Sequence, residues 1–232
     1  MGDKSFWQGA KAAIPTVFGY ISIGMAFGIV AAKAGIPPLI VAFMSIVFYS
    51  GSGQFALCAL LLTKASLPTI AMTVFLINLR HFLMNLHVTT IFSSASLLQQ
   101  VFIGTLMTDE SYGVLLNERI HQKDISPQWM YGNNLASYIT WIGATTVGCV
   151  LGSMIPNPNG LGVDFALIAM FVTIFASQLE GMVRTVPLRN IAWILFSVLF
   201  AYLALSWKFS GSIAVLLATL LGCFVGVMID GE

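Results

Sequence analysis

The chain has 232 residues, of which 58% are hydrophobic and only 8% are charged, and its mean hydropathy is +0.90. Soluble domains carry about 25% charged residues, so this composition excludes a soluble fold and indicates an integral membrane protein. The net charge of +1 gives no support for nucleic-acid binding. Cys58, Cys149 and Cys223 lie in apolar runs without CxxC spacing, so we predict small core residues rather than disulfides or a zinc site.

Seven apolar runs are long enough to cross a bilayer as helices. They cover approximately residues 12–32, 38–62, 67–92, 131–154, 163–182, 189–207 and 211–229. The first run is too long for a signal peptide and lacks a cleavage site, so it should be retained. The sequence therefore predicts an all-α membrane protein with about seven transmembrane helices in a single transporter domain, 1–232. Lysine and arginine fall on both predicted sides and favour neither orientation.

A shorter apolar piece, Leu97–Met107, precedes the one long polar stretch, Thr108–Gln128. Eleven residues do not span a hydrocarbon core of about 30 Å as a helix. We therefore prefer a re-entrant or interfacial segment here over an additional spanning helix.

A weak internal repeat relates the first three predicted helices to the next three. Its members, in the same order in both halves, are Tyr20–Gly24 with Tyr138–Gly143, Gly24/Gly28 with Gly148/Gly152, and Ser52–Gln54 with Ser177–Gln178. Because three is an odd number, the predicted units 12–92 and 131–207 would be inverted in the membrane, with 211–229 as an extra helix. Chance similarity of glycine-rich helices is the alternative. The GxxxG pairs, including Gly222/Gly226, predict close helix packing.

The segment Gly51-Ser52-Gly53-Gln54 interrupts the apolar run 38–62 near its middle. Two glycines around a serine weaken a helix, and backbone groups freed inside a bilayer are tolerated only against protein or a water-filled cavity. We predict a broken helix with a substrate site. The alternative is a tight helix crossing with a hydrogen-bonded glutamine.

A second polar group lies inside the run 67–92, where Asn78, Arg80 and His81 are followed by Asn85 and His87. A charge near mid-membrane costs about 2.5–3.5 kcal/mol, so Arg80 should pair with a carboxylate or line a cavity. Pro68 begins the run well before Arg80 and favours this deep position over a snorkelling side chain at the interface.

Thr108-Asp109-Glu110 directly follows the short apolar piece. The two carboxylates could pair with Arg80, accept a proton or cap the next helix, and the residues alone do not favour one of these roles. Gln178 is a further candidate for substrate binding, as the counterpart of Gln54 in the repeat.

Together, FYSGSGQF (48–55), NLRH (78–81) and TDESYG (108–113), in this order, resemble the AzlC family of branched-chain amino acid permeases. The resemblance extends from the Gly19-Tyr20 region to the last helix. It implies the large subunit of a two-component exporter in the bacterial cell membrane, whose partner is a small hydrophobic AzlD-type subunit. It further implies export of valine, leucine, isoleucine and similar amino acids on the proton-motive force, without a cofactor.

Two other classes of function remain as alternatives. A membrane enzyme would need a nucleophile or metal site, but no HExxH or GxSxG occurs, and His81 and His87 are about 240° apart around a helix. A passive channel would carry flux that does not depend on a proton gradient. We therefore expect a transporter rather than an enzyme.

For an amino acid substrate, the freed amides and carbonyls at Gly51–Gly53 should bind the carboxylate and ammonium groups, as broken helices do in other transporters. Gln54 and Asn78 would complete the polar half of the site. Phe48, Phe55 and Phe75 are the predicted apolar walls.

Overall fold

The computed structural model describes residues 5–121, 124–155, 172, 175–176, 179–180, 182–183, 186–209 and 211–230. These residues form helices and short connections, with no strand among them, which confirms the predicted all-α class for this part of the chain. Contacts divide the chain into two compact units, Met1–Met170 and Phe171–Glu232. Helices of the first unit are α1 (Phe6–Ala12), α2 (Ile14–Lys33), α3 (Pro38–Val47), α4 (Gly51–Leu62), α5 (Leu67–Ile91), α6 (Leu97–Thr105), α7 (Asp109–His121) and α8 (Pro127–Ser153).

The second unit contributes α9 (Leu188–Ser206) and α10 (Gly211–Asp230). Among the described residues, four helices are long and apolar enough to cross a membrane, namely α2, α5, α8 and α9, and they match four predicted runs. α10 matches the last run. Most of the predicted span 163–182 lies outside the described residues, and so does the candidate Gln178.

α2 and α8 pack closely along their two GxxxG pairs, as the sequence predicted. A Cβ atom on Gly24 would lie 2.9 Å from that of Ala144, and one on Gly152 would lie 2.8 Å from Ile29 Cα. Residue numbers increase in the same direction along both helices at these contacts, so α2 and α8 are parallel. An in-plane two-fold axis would make them antiparallel, so this pair does not show the inversion predicted between helices one and four.

The run 38–62 is broken, as predicted, but it does not cross as one span, because α3 and α4 run in opposite directions. α3 runs against α8: the Ile36 oxygen accepts a 3.4 Å hydrogen bond from Cys149 Sγ, whereas the Ile46 oxygen accepts one of 2.9 Å from the earlier residue Tyr138. The two helices form a re-entrant hairpin, named H1 (residues 38–62).

α4 runs with α2, as its contacts show. Gly51 borders the same cavity as Tyr20, and Phe55 packs edge-on against Phe27 with ring centroids 5.2 Å apart. Ser50 is extended and caps α4, since its hydroxyl accepts a hydrogen bond of 3.3 Å from Gly53 N. H1 therefore enters and leaves at the end of the molecule where α2 ends.

α6 and α7 form a second re-entrant hairpin, named H2 (residues 97–121). α6 runs against α5, because Asn85 donates to the Gly104 oxygen while Gln100 donates to the Phe92 oxygen. This agrees with the re-entrant reading of 97–107, although α6 ends at Thr105.

α7 runs with α5. Asp109 pairs with Arg80, and Tyr112 is hydrogen-bonded to His87 one to two turns further on. H2 therefore enters at the end of the molecule where α5 ends, opposite to H1. A buried apolar cluster fixes its base against α5 and α8, formed by Val88, Phe92, Ile103, Met107, Leu115, Trp129 and Met130.

In the second unit, α9 and α10 form an antiparallel pair. A Cβ atom on Gly222 would lie 3.6 Å from Val198 Cβ, and one on Gly226 would lie 3.5 Å from Ile194 Cδ1. This agrees with the packing role predicted for Gly222/Gly226.

Candidate functional site

A small cavity lies where the tips of H1 and H2 meet, at the level of Trp141 in the middle of α8. Its volume is about 20 Å³, which is room for about one water molecule. The lining combines one cation, two carboxylates and several aromatic rings: Tyr20, Ile23, Tyr49, Gly51, Arg80, His81, Thr108, Asp109, Glu110 and Trp141. The two hairpins thus bring three distant polar segments of the sequence to one point.

Arg80 connects both hairpins at this cavity. Its Nη2 atom lies 2.8 Å from Asp109 Oδ2 of H2 and donates a 2.6 Å hydrogen bond to Ser52 Oγ of H1. The side chains of Arg80 and Asp109 are only 28% and 12% exposed. Arg80 Nε is buried and has no hydrogen-bond partner among the described residues. The expected contact between Arg80 and a carboxylate is therefore present, and the buried Nε–H donor of the guanidinium is left without a partner among the described residues.

Glu110 faces neutral partners instead. Tyr20 Oη lies 2.7 Å from Glu110 Oε2 and 2.8 Å from Thr108 Oγ1. A phenol carries one proton, so Tyr20 donates to only one of these two atoms at a time. Counting charges, the cavity has two carboxyl groups and one guanidinium, so Glu110 is the carboxyl that can gain or lose a proton without breaking the ion pair of Arg80.

Two helix N-termini point at the cavity, one from each hairpin. α7 begins with Asp109 and Glu110, and these carboxylates offset its positive end. α4 begins with Gly51, Ser52 and Gly53 and has no acidic residue in its first turn. The positive end of α4 therefore remains available to an anionic group inside the bilayer.

Gly51–Gln54 are not unwound as predicted; the reversal is at 48–50 and these four residues form the first turn of α4. Gly51 borders the cavity, and Ser52 touches Arg80. A Cβ atom on Gly53 would lie 2.6 Å from Phe48 Cζ, so this glycine lets the tip fold closely over α4.

Gln54 and Asn78, predicted to bind substrate, support H1 instead of lining the cavity. Gln54 is fully buried, accepts a 2.8 Å hydrogen bond from Trp141 Nε1 and donates one of 3.2 Å to Ser45. Asn78 accepts a hydrogen bond from the Ser50 hydroxyl at the tip. His81, by contrast, borders the cavity beside Arg80.

The predicted phenylalanine walls do not form one pocket. Phe75 is 61% exposed on α5, and Phe55 is buried against Phe27. The walls are aromatic nevertheless: Tyr20, Tyr49 and Trp141 were missed by the sequence analysis. Tyr20 stood in the repeat motif, but tyrosine and tryptophan in an apolar helix carry no signal of their own.

Fold and site define a multi-pass membrane protein with a charged site level with the middle of the long helix α8, buried between two helical hairpins. The family model described as AzlC protein matches residues 15–155, and the chain belongs to this family. The match covers α2 to α8, including all residues that line the cavity.

Curated relatives extend over most of the chain. The "Inner membrane protein YgaZ" of Escherichia coli is 27% identical over 98% of this chain and 91% of its own length. An uncharacterized membrane protein of Helicobacter pylori J99 is 28% identical over 87% and 86%. The "Branched-chain amino acid transport protein AzlC" of Bacillus subtilis is 22% identical over 75% and 70%. No solved structure matches the chain significantly. The chain is thus a multi-pass protein of the cell membrane from a transport-related family.

Proposed function

We propose that this chain exports the branched-chain amino acids valine, leucine and isoleucine, and also methionine, in exchange for protons. The observation that carries the proposal is the cavity between the hairpin tips, where Arg80, Asp109 and Glu110 lie at mid-membrane beside aromatic walls. Charged groups at this depth are costly and mark substrate or proton pathways. The name of the Bacillus relative, a branched-chain amino acid transport protein, supports the substrate class.

The cavity offers each part of an amino acid its own surroundings. The carboxylate would bind the free positive end of α4 at Gly51 and the spare donor of Arg80. The ammonium would bind Asp109 and Glu110, and the branched side chain would pack on Ile23 and the aromatic rings. One methylene in such a pocket is worth about 1–3 kcal/mol, so selectivity among the four substrates would be modest.

The observed cavity is closed to such a substrate. Its volume of about 20 Å³ is far below the roughly 300–1,000 Å³ of ligand pockets. Substrate therefore enters only after a tip moves away, and such a motion is what separates a transporter from an open channel. Glu110, hydrogen-bonded to Tyr20, is the proposed proton carrier.

A small hydrophobic AzlD-type subunit is the proposed partner, on the strength of the resemblance in the motifs at 48–55, 78–81 and 108–113. Efflux of labelled valine from proteoliposomes tests both proposals together. We expect efflux from vesicles with both subunits, acceleration by an inward proton gradient and little efflux from the chain alone. Efflux that ignores the gradient would indicate a channel, and full export by the chain alone would refute the need for a partner.

A matched substitution keeps the test specific to the site. Glu110→Gln preserves size and removes the titrating carboxyl, so efflux should lose its dependence on the proton gradient. Glu118→Gln, on the same helix but outside the cavity lining, should keep it. Equal behaviour of the two variants would show that Glu110 does not couple transport to protons.

A further inference from the structure

The segments 14–62 and 67–121 have the same order of parts, a long helix followed by a re-entrant hairpin. The arms of H1 have 10 and 12 residues and those of H2 have 9 and 13. Each tip has three residues, 48–50 and 106–108. α5 starts at the end of the molecule where α2 stops, so the second segment is an inverted copy of the first. This repeat differs from the one that the sequence predicted.

The tips are capped alike. Ser50 Oγ accepts from Gly53 N at 3.3 Å, and Thr108 Oγ1 accepts from Ser111 N at 3.4 Å. Each hydroxyl is the N-cap of the half-helix that faces the cavity.

Each tip is also held by the long helix of the other copy. Ser50 donates to Asn78 of α5, and Thr108 Oγ1 lies 2.8 Å from Tyr20 Oη of α2. Arg80 Nη2 is shared, because it contacts Ser52 of H1 and Asp109 of H2. One tip can therefore lose its contact with Arg80 while the other keeps it.

H2 has room to move beside α5. A groove of about 400 Å³ separates α6 from α5 on both sides of the hydrogen bond between Asn85 and Gly104. Most of its surface is apolar. α6 is fastened to α5 by this hydrogen bond, by the one from Gln100 to the Phe92 oxygen, and by Ile103, which shares a buried apolar cluster with Val88 and Phe92.

We propose that H1 and H2 are two gates of the central cavity, each opening it to a different side of the membrane. H1 opens the cavity to the side where α2 ends, and H2 opens it to the side where α5 ends. This inference rests on the proposed transport function, and it adds which parts of the chain move and in which direction each opens.

Two disulfide locks test the assignment. Ser45→Cys with Thr145→Cys fastens H1 to α8, because the two native hydroxyl oxygens lie 2.9 Å apart. Asn85→Cys with Gly104→Cys fastens H2 to α5, since a Cβ atom on Gly104 would lie 3.2 Å from Asn85 Cγ. A disulfide joins Cβ atoms about 3.5–4.5 Å apart, which requires side chains in direct contact, as they are in both pairs.

The reporter is Ile23→Cys, whose side chain lines the cavity, in a background where Cys58, Cys149 and Cys223 are replaced by alanine. A charged thiol reagent that does not cross membranes is added to right-side-out or to inverted vesicles. The labelling rate of the reporter then measures access to the cavity from each side, whether or not an amino acid is transported.

We expect the unlocked reporter to react from both sides. Each lock should slow labelling from one side by about tenfold or more, the two locks should affect opposite sides, and reduction should restore both rates. A control lock in the second unit, Val198→Cys with Gly222→Cys, should change neither rate; a Cβ on Gly222 would lie 3.6 Å from Val198 Cβ.

The inference is overturned if both locks slow the same side, if either slows both sides equally, or if the reduced reporter reacts from neither side. Opposite effects of the locks, together with no valine efflux by the unlocked chain and its small subunit, would leave the gates standing and refute the proposed substrate. Valine efflux without opposite effects of the two locks would support the proposed substrate and overturn the two gates.

Discussion

The ion pair between Arg80 and Asp109 gives the sharpest test of the site. Arg80→Gln and Asp109→Asn each remove one charge while keeping the side chain close to its native size. Each single variant leaves the other charge inside the bilayer without its partner at 2.8 Å. The double variant removes both charges, so it should lose less stability than the two single losses added together.

The expected size follows from the burial of the pair. Breaking a fully buried ion pair costs about 3–5 kcal/mol, whereas an exposed pair is worth at most about 1 kcal/mol. With side chains 28% and 12% exposed, this pair lies between these limits, and we expect about 2–3 kcal/mol for each single variant. A coupling energy of about 1.5 kcal/mol, slightly more than tenfold in an equilibrium constant, should remain in the cycle.

Reversible unfolding in mixed micelles supplies the four free energies of the cycle. A second cycle, of Arg80→Gln with Glu118→Gln, is the control, because Glu118 lies on α7 about 13 Å beyond Asp109 by helical rise. The losses of stability in this control cycle should be additive. Additive losses within about 0.3 kcal/mol for Arg80 and Asp109 would refute the pairing as a source of stability.

Three further outcomes are expected. Gly28→Leu should destabilise the protein by about 1–3 kcal/mol or prevent folding, because a Cβ atom there would meet the backbone of α8. Gly19→Leu has open space around it and should be tolerated; the yield of folded protein measures both outcomes. Tyr20→Phe should weaken the dependence of efflux on the proton gradient while its ring stays against Trp141, and Tyr202→Phe should not. Gln54→Leu leaves the indole N–H of Trp141 unpaired and should lower the free energy of unfolding by about 1–3 kcal/mol. Gln100→Leu, at the base of H2, should affect valine efflux less than Gln54→Leu does.

Apolar length and the cost of buried charge were enough to predict part of the chain. Runs of about 20 apolar residues correctly located α2, α5, α8 and α9. The cost of a charge inside an apolar run placed Arg80 beside a carboxylate, and the short length of 97–107 indicated a re-entrant or interfacial segment rather than a spanning helix. In each case one large free-energy term decides the structure, so the sequence alone is enough to predict it.

The reversal in H1 could not be predicted in this way. The run 38–62 is as long as a spanning helix, and its turn, Phe48-Tyr49-Ser50, contains neither glycine nor proline. The glycines that drew attention lie just after the turn, where Gly53 accommodates Phe48. The direction of α4 depends on contacts with α2 and α8 that are remote in sequence. For the same reason, the positions of Tyr49 and Trp141 beside the cavity followed only from the three-dimensional structure.

The strength of the contacts at the tips bears on whether the hairpins can move at all. H1 is held to α5 and α8 by five hydrogen bonds that involve side chains: Ser50 to Asn78, Arg80 to Ser52, Trp141 to Gln54, Tyr138 to the Ile46 oxygen, and Ser45 with Thr145. Hydrogen bonds between membrane helices average about 0.6 kcal/mol, so the five together contribute about 3 kcal/mol. A substrate or proton that binds the open state about 160-fold more tightly would offset that amount. The tips are therefore held firmly enough to keep the cavity closed at rest, yet weakly enough for one binding event to open it.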